Sequence, residues 1–547
     1  MYNQIRNGRP PTRVQHGLVT SPHYIASSTG LDILRDGGSA VDAAIATNAT
    51  LCVVYPHMAG LGGDGFWLLA DGDGEVEGIN ASGPAGEAAS RSYYDELGYD
   101  EIPERGSASA LTVPGAVDGW RLAHEKYGKL PWERLFEDAI THAREGIPIT
   151  DDFSRWISID AEILAEDSAA AETFLIEDSA PEPGSMLRQP ELAGSFETIA
   201  QLGSRAGFYD GRVAEAFCEG LGEESPLTTT DFSQYQAEWV EPLSTDYRGY
   251  TAHSFPPNTQ GIAALQILGL LDGFDVTSWG DGTADYYHHM AETVKVAFAD
   301  RDAWVTDPET IDFPAETLLS TSYLNERRSL IQADSSLPSA VDPGLVPDGT
   351  SPQPQEADGD TCYLSIVDDD GLAVSLIQSI YFDFGSGMIA GDTGIIPQNR
   401  GSFFSLNRDH INSLEPGKRT FHTLIPSILT KNGEPRLVYG TMGGEGQPQT
   451  QAALVSRIID FGYDVQAAIE APRWLFGRTW GEESKSLSLE GRIPDGVATE
   501  LQRRGQSVAM GRDFDDTMGH AAAIRIHEDG TLEGGADPRG DGAASGY

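Results

Sequence analysis

Gly359-Asp360-Thr361-Cys362-Tyr363-Leu364-Ser365-Ile366-Val367-Asp368 is a turn that runs directly into a strand. Its apolar, β-branched run ends at Asp369-Asp370-Gly371, which turns the chain into a second strand, Ala373-Val374-Ser375-Leu376-Ile377-Gln378. A hydroxyl residue opening a strand deep inside a chain is ordinary by itself. If the chain is cut just before it, Thr361 owns a free α-amine, and one residue supplies both nucleophile and base. Upstream, Ser335 to Gly359 carries Pro338, Pro343, Pro347, Pro352 and Pro354 among Ser, Gly and Asp. Such a composition makes an extended or flexible segment, the setting an internal cleavage site needs.

Downstream of Thr361 the pattern is β-rich, then mixed. Strands are expected near 362–368, 373–381, 425–430 and 435–441, helices near 447–461 and 465–471, and late strands near 486–490, 520–527 and 532–537 that complete a sheet. Upstream, a strand at Gly17–Thr20 precedes an amphipathic helix from Ile25 to Arg35 that stops at Gly37-Gly38. Ser39 caps a second helix to about Tyr55, with no polar face and therefore buried. From Pro114 to about Arg327 the chain reads as mostly helical, with helices near 115–127, 131–145, 190–202, 211–220, 259–272 and 283–304. Helices outside two sheets give an α/β sandwich. No internal repeat is visible.

Three glycine-rich places can carry chemistry. Tyr439-Gly440-Thr441-Met442-Gly443-Gly444 lies between a strand and a helix, where exposed backbone N–H groups near a helix N-terminus can hold an oxyanion. Ala390 to Ile395 and Gln398-Asn399-Arg400-Gly401-Ser402 are polar turns suited to a pocket rim. Gly60-Leu61-Gly62-Gly63-Asp64-Gly65 matches the spacing of the dinucleotide fingerprint, but a helix precedes it and a strand follows, the reverse of what phosphate binding needs. A tight turn or close backbone approach explains those glycines better. His288-His289 on one helix point in different directions, one inward and one outward, and Asp71-Gly72-Asp73-Gly74 lacks the spacing of a calcium loop. No metal or cofactor is expected.

The 547 residues carry a net charge of −48 with an otherwise ordinary 39% hydrophobic content. Lysine is confined to Lys126, Lys129, Lys295, Lys418, Lys431 and Lys485. An acid-rich, lysine-poor chain looks like a protein from a salt-accumulating halophile, since molar salt screens like-charge repulsion. An acidic surface facing a basic partner is the plainer alternative. Nucleic acid is an unsuitable ligand because no basic patch offsets phosphate charge. Cys52, Cys218 and Cys362 are too scattered for a disulfide framework or a zinc site. The first residues lack the apolar core of a signal peptide and no stretch is long enough to span a bilayer, so a cytoplasmic protein with no membrane association is expected.

Taken together, these features resemble the γ-glutamyltransferase family of N-terminal nucleophile hydrolases, in a haloarchaeal-type, γ-glutamyltransferase-like branch. The resemblance rests on Gly30 to Leu34, Gly37 to Ala44, Gly60 to Phe66, Thr361 to Asp368, Gly385 to Gly394, Pro416 to Thr423, Gly443-Gly444, Ala536 to Arg539 and Ser545-Gly546-Tyr547, in one order over nearly the whole chain. It implies a four-layer αββα sandwich in which a large subunit, 1–360, and a small subunit, 361–547, share one core. This replaces the three or four domains that length alone suggests. It also implies cleavage between Asp360 and Thr361, attack of the Thr361 hydroxyl on an amide carbonyl, and an oxyanion held by Gly443 and Gly444. Ser379 takes the position whose hydroxyl supports autoprocessing. His422 and Thr423 fall where other members hold the substrate carboxylate with two serines. The implied partner is a small amide, glutathione or another γ-glutamyl compound.

The match breaks in the acyl pocket. Ser82, in Ile79-Asn80-Ala81-Ser82-Gly83-Pro84, replaces the arginine that pairs with the donor α-carboxylate. Phe403 stands before Phe404-Ser405 where an acidic residue holds the donor α-amine, and Tyr381 replaces an asparagine. Losing both partners removes the charge-assisted bonds that define a glutamyl site. Arg400, Lys418 and Arg419 are the candidates to restore a cation. An acylase of the cephalosporin-acylase-like branch, acting on non-glutamyl amides, is the first alternative. An unprocessed, inactive scaffold is the second.

Overall fold

The computed structural model describes residues 8–72, 74–347, 360–477 and 485–547. Among these residues two seven-stranded sheets face one another. The first runs, in spatial order, Ala543–Gly546, Leu18–Ser21, Asp360–Val367, Ala373–Tyr381, Asp64–Ala70, Val76–Ala81 and Glu238–Val240. The second runs Thr12–Val14, Leu532–Ala536, Ala521–Ile526, Glu434–Thr441, Ser427–Lys431, Tyr250–Ser254 and Leu243–Tyr247. Neighbouring strands in both are antiparallel. Each sheet mixes strands from before and after Thr361, so the two segments share both sheets.

Side chains alternate between faces along a strand, and that alternation builds three cores. Cys362, Leu364 and Ile366 turn outward against Ala40–Val54 and neighbouring helices. Tyr363 and Val367 turn inward, meeting Phe66, Leu68, Ile377, Ile428, Val438 and Ile524 between the sheets. Beyond the second sheet, Leu437 and Tyr439 pack under Gly261–Asp272, Ala284–Trp304 and Gly446–Ile459. Helix, sheet, sheet and helix therefore stack as the expected αββα sandwich. Ser39 opens the first buried helix with a capping box closed by Asp42, and every residue of Ala40–Val54 is buried.

The expected elements stand to within a few residues, with three corrections. The region from Pro114 to Arg327 is mostly helical as expected, but it also contributes the unexpected strands Glu238–Val240, Leu243–Tyr247 and Tyr250–Ser254 to the sheets. Leu487–Leu489 leaves the main sheets and joins a small separate one with Trp474–Phe476 and Val508–Met510. His288 and His289 are both buried, where one was expected outside. His288 Nε2 meets the Gln332 carbonyl at 2.8 Å, and His289 stacks on Trp279. The linker's last residues, 348–359, lie outside the described residues, as does Asp73 of the acidic hairpin turn. No helix among the described residues is long and apolar enough to cross a membrane.

Candidate active site

Thr361 lies beside a register shift in the pairing of its strand with Ala373–Tyr381, between the pairs Asp360–Tyr381 and Cys362–Gln378. It shares the inward face with Tyr363 and Val367, at one end of the space between the sheets. Its side chain is fully buried, and Oγ1 has no hydrogen-bond partner among the described residues. A buried hydroxyl without a partner is disfavoured in a purely structural role. On the adjacent strand, Ser379 shares that face, and its Oγ accepts from the Tyr381 N–H at 2.7 Å. Ser379 in turn pairs with Asp64 one strand further.

The glycine pair comes from the opposite sheet. Tyr363 packs its ring against Gly440, where a Cβ would stand 2.2 Å from the ring, and this brings the end of Glu434–Thr441 down onto the threonine strand. The chain then passes through Gly443 (φ 114°) and Gly444 (φ 45°), a left-handed path that a side chain would strain, before entering Gly446–Ile459. No protein acceptor among the described residues engages the N–H of either glycine. The loop is clamped from behind. Gln260 Nε2 donates to the carbonyls of both Gly444 and Thr423, each at 2.9 Å. Arg301 donates to Gln260 Oε1 at 3.1 Å and to Glu445 at 2.8 Å. Gln260, Arg301 and Glu445 carry no motif in sequence; only folding unites them.

Around Tyr381, the strand partner of Asp360, lies an aromatic and cationic cluster. Tyr381 holds a left-handed backbone (φ 83°), uncommon for a bulky residue and a mark of local constraint. Its ring stacks on Phe382 and meets the edge of Phe403, which stacks on Phe421 at 5.0 Å between centroids. The Arg400 guanidinium lies 3.6 Å from the centre of the Tyr381 ring. Arg400 is 1% exposed; Nη2 reaches Thr423 Oγ1 at 3.3 Å, and Nε and Nη1 have no partner among the described residues. Burial lowers its pKa to about 10, which leaves it charged at neutral pH.

Asp64 and His422 complete this wall. Asp64 Oδ1 accepts from the N–H groups of Gly83 and Gly115 and from Gln398, and Oδ2 lies 3.3 Å from His422 Nε2. Burial outweighs those bonds and raises the Asp64 carboxyl to about 7. Burial, with the Arg400 charge second, holds His422 neutral, and its Nδ1 has no partner. Asp64 belongs to the Gly60 loop, and the close backbone approach expected there is real: Gly63 abuts the Ser379 carbonyl.

The remaining candidates separate clearly. Ser82 is turned into a buried amide network, donating to Asn80 Oδ1 at 2.7 Å and accepting from Asn258. Lys418 is spent on the carbonyls of Ile411 and Ser413. Arg419 pairs with Glu238 at 2.7 Å and reaches the Ser82 carbonyl. Of the three cations that could replace the missing arginine, Arg400 is the one with buried donors that have no partner among the described residues. No group of three or more metal-ligating side chains occurs among the described residues.

A family model described as gamma-glutamyltranspeptidase matches residues 26–547. The glutathione hydrolase-like YwrD proenzyme of Bacillus subtilis is 45% identical, over 97% of this chain and 98% of that protein. The oxamate amidohydrolase proenzyme of Klebsiella pneumoniae is 43% identical over the same shares. Among solved structures, the cephalosporin acylase of Bacillus halodurans superposes with a TM-score of 0.89 at 36% identity, covering 100% of this chain and 99% of that one.

Proposed function

The chain belongs to the γ-glutamyltranspeptidase family of enzymes, and from that membership we propose that it matures by cutting itself before Thr361 and then hydrolyses small amides through a Thr361 acyl-enzyme. What supports this reading is the buried Thr361 Oγ1, which has no hydrogen-bond partner among the described residues, on the strand next to the one that carries Ser379. In maturation, Oγ1 attacks the Asp360 carbonyl and the C–N bond breaks. The resulting ester is hydrolysed by water, leaving an Asp360 carboxylate and a free Thr361 amine. In turnover that amine takes the hydroxyl proton while Oγ1 attacks the substrate amide, and the N–H groups of Gly443 and Gly444 receive the oxyanion. The amine then protonates the leaving nitrogen, and water releases the acid. Residues 1–360 and 361–547 become two subunits of one body, in keeping with the shared sheets. Several relatives bear the name proenzyme.

The family's γ-glutamyl amides are the first substrate class to test. The pocket favours the acylase alternative, because Ser82 is committed to Asn80 and Phe403 is stacked on Phe421, so neither holds a glutamyl head group. The acidic surface suits work in concentrated salt. Thr361→Ala tests the whole reading: it is expected to remain one chain on denaturing electrophoresis and to lack amidase activity. A Thr361→Ala protein that is cleaved, or that turns over amides like the unaltered enzyme, would sink it.

A further inference from the structure

We propose that Arg400 is a receptor for a carboxylate on the acyl group, so that the substrates are monoamides of short dicarboxylic acids that carry no ammonium group beside the scissile carbonyl. A guanidinium has five N–H donors. Here one reaches Thr423 Oγ1, while Nε and Nη1, in a fully buried side chain, have no partner among the described residues. Burying an unpaired charge is strongly disfavoured, and such charges are normally paired or neutralised. No carboxylate among the described residues is in ion-pair contact with Arg400. Asp64, whose charge acts on Arg400, already accepts from two backbone N–H groups and from Gln398. The missing partner is therefore an anion brought by the substrate.

The surroundings narrow its form. Stacking on Tyr381 fixes the guanidinium plane, and Tyr381 pairs with Asp360, the residue bonded to Thr361. A carboxylate bound there lies close to the reacting carbonyl, which requires a short acyl chain. Thr423 Oγ1, already in contact with Arg400 Nη2, can add a neutral hydrogen bond. An α-ammonium would meet the Arg400 charge and the Phe403 ring in place of a carboxylate, which selects against glutamyl donors.

The receptor itself is independent of the chemistry; only its placement beside the reacting carbonyl rests on Thr361 being the nucleophile. Two measurements separate the two. First, oxalate, malonate, succinate and glutarate are titrated into the purified enzyme in molar KCl by calorimetry, with butyrate as control. At least one dicarboxylate is expected to bind, butyrate at least about 30-fold more weakly, and Arg400→Met to abolish the difference. Second, oxamate, succinamate and glutaramate are compared with butyramide and glutamine as substrates. One of the acid amides is expected to exceed both by about 100-fold in kcat/KM, with Arg400→Lys retaining part of that preference. Dicarboxylate binding that depends on Arg400, in an enzyme that cleaves no amide, would uphold the receptor and overturn the amidase reading. Equal binding of butyrate and dicarboxylates, or a preference for glutamine or butyramide, would overturn the receptor.

Discussion

Thr361 and Asp64 are both buried polar groups, yet sequence exposes only one of them. Thr361 opens a strand after a proline-rich segment, and that context marks it. Asp64 sits in a glycine loop, and its neighbours Gly83, Gly115, Gln398 and His422 are far away in sequence. Its consequence for pH can be worked out. The folded carboxyl titrates near 7, above its unfolded value of about 4, so the folded state holds a proton that the unfolded state has lost between those limits. The stability it contributes is present below about pH 4 and is lost as pH rises to about 7, at up to about 1.4 kcal/mol per pH unit. Asp64→Asn keeps the oxygen acceptor and can donate to His422. Urea unfolding from pH 4 to 8 is expected to show a shallower decline for Asp64→Asn than for the unaltered protein, and parallel curves would refute the assignment. Arg400 shows the same limit of legibility: sequence names three cations, and only packing shows which two are already engaged.

At the scale of elements, strong local patterns were readable and weak ones were not. The capping box at Ser39 and Asp42, and the alternation after Thr361, fix the first buried helix and the central hairpin. Leu243–Tyr247 and Tyr250–Ser254 escaped because they are short, partly exposed strands at a sheet edge, with polar residues on the solvent side. The helix expected near 259–272 takes in Gln260 as an ordinary first-turn residue, yet Gln260 caps that helix and its amide ties the Gly444 loop to Thr423. Arg301 holds it in place. Gln260→Glu preserves shape and can still accept from Arg301, but it loses both donations to carbonyls. Small displacements of an oxyanion donor cost about 100-fold in rate. Steady-state kinetics of Gln260→Glu are expected to show kcat lowered by that order with KM little changed. A change confined to KM would place Gln260 in substrate binding instead.

For the whole molecule, charge and fold pull in opposite directions. The −48 charge is a sequence property, but its effect depends on where the acids lie. Some are buried and paired with arginine, as Glu490 is with Arg539 at 2.7 Å and Asp537 with Arg473, and the half-buried Asp281 pairs with the buried Arg457. Salt screens such internal pairs little. Many others lie on exposed helix faces, for example Glu96, Glu172, Glu191 and Glu219, and repel one another across the surface. The Debye length grows from about 3 Å at 1 M to about 10 Å at 0.1 M, so lowering the salt extends that repulsion over many neighbours. Because each sheet is assembled from strands on both sides of Thr361, a processed molecule has no covalent link to resist the strain. Its Tm is therefore expected to fall steeply on dialysis from 3 M to 0.1 M KCl. Uncleaved Thr361→Ala should fall less, because one continuous chain restrains its unfolded state. Scanning calorimetry of both proteins across a KCl series checks this. A Tm independent of salt would show that the surface acids are not the destabilising term, and equal losses in the two proteins would show that the intact chain confers no protection.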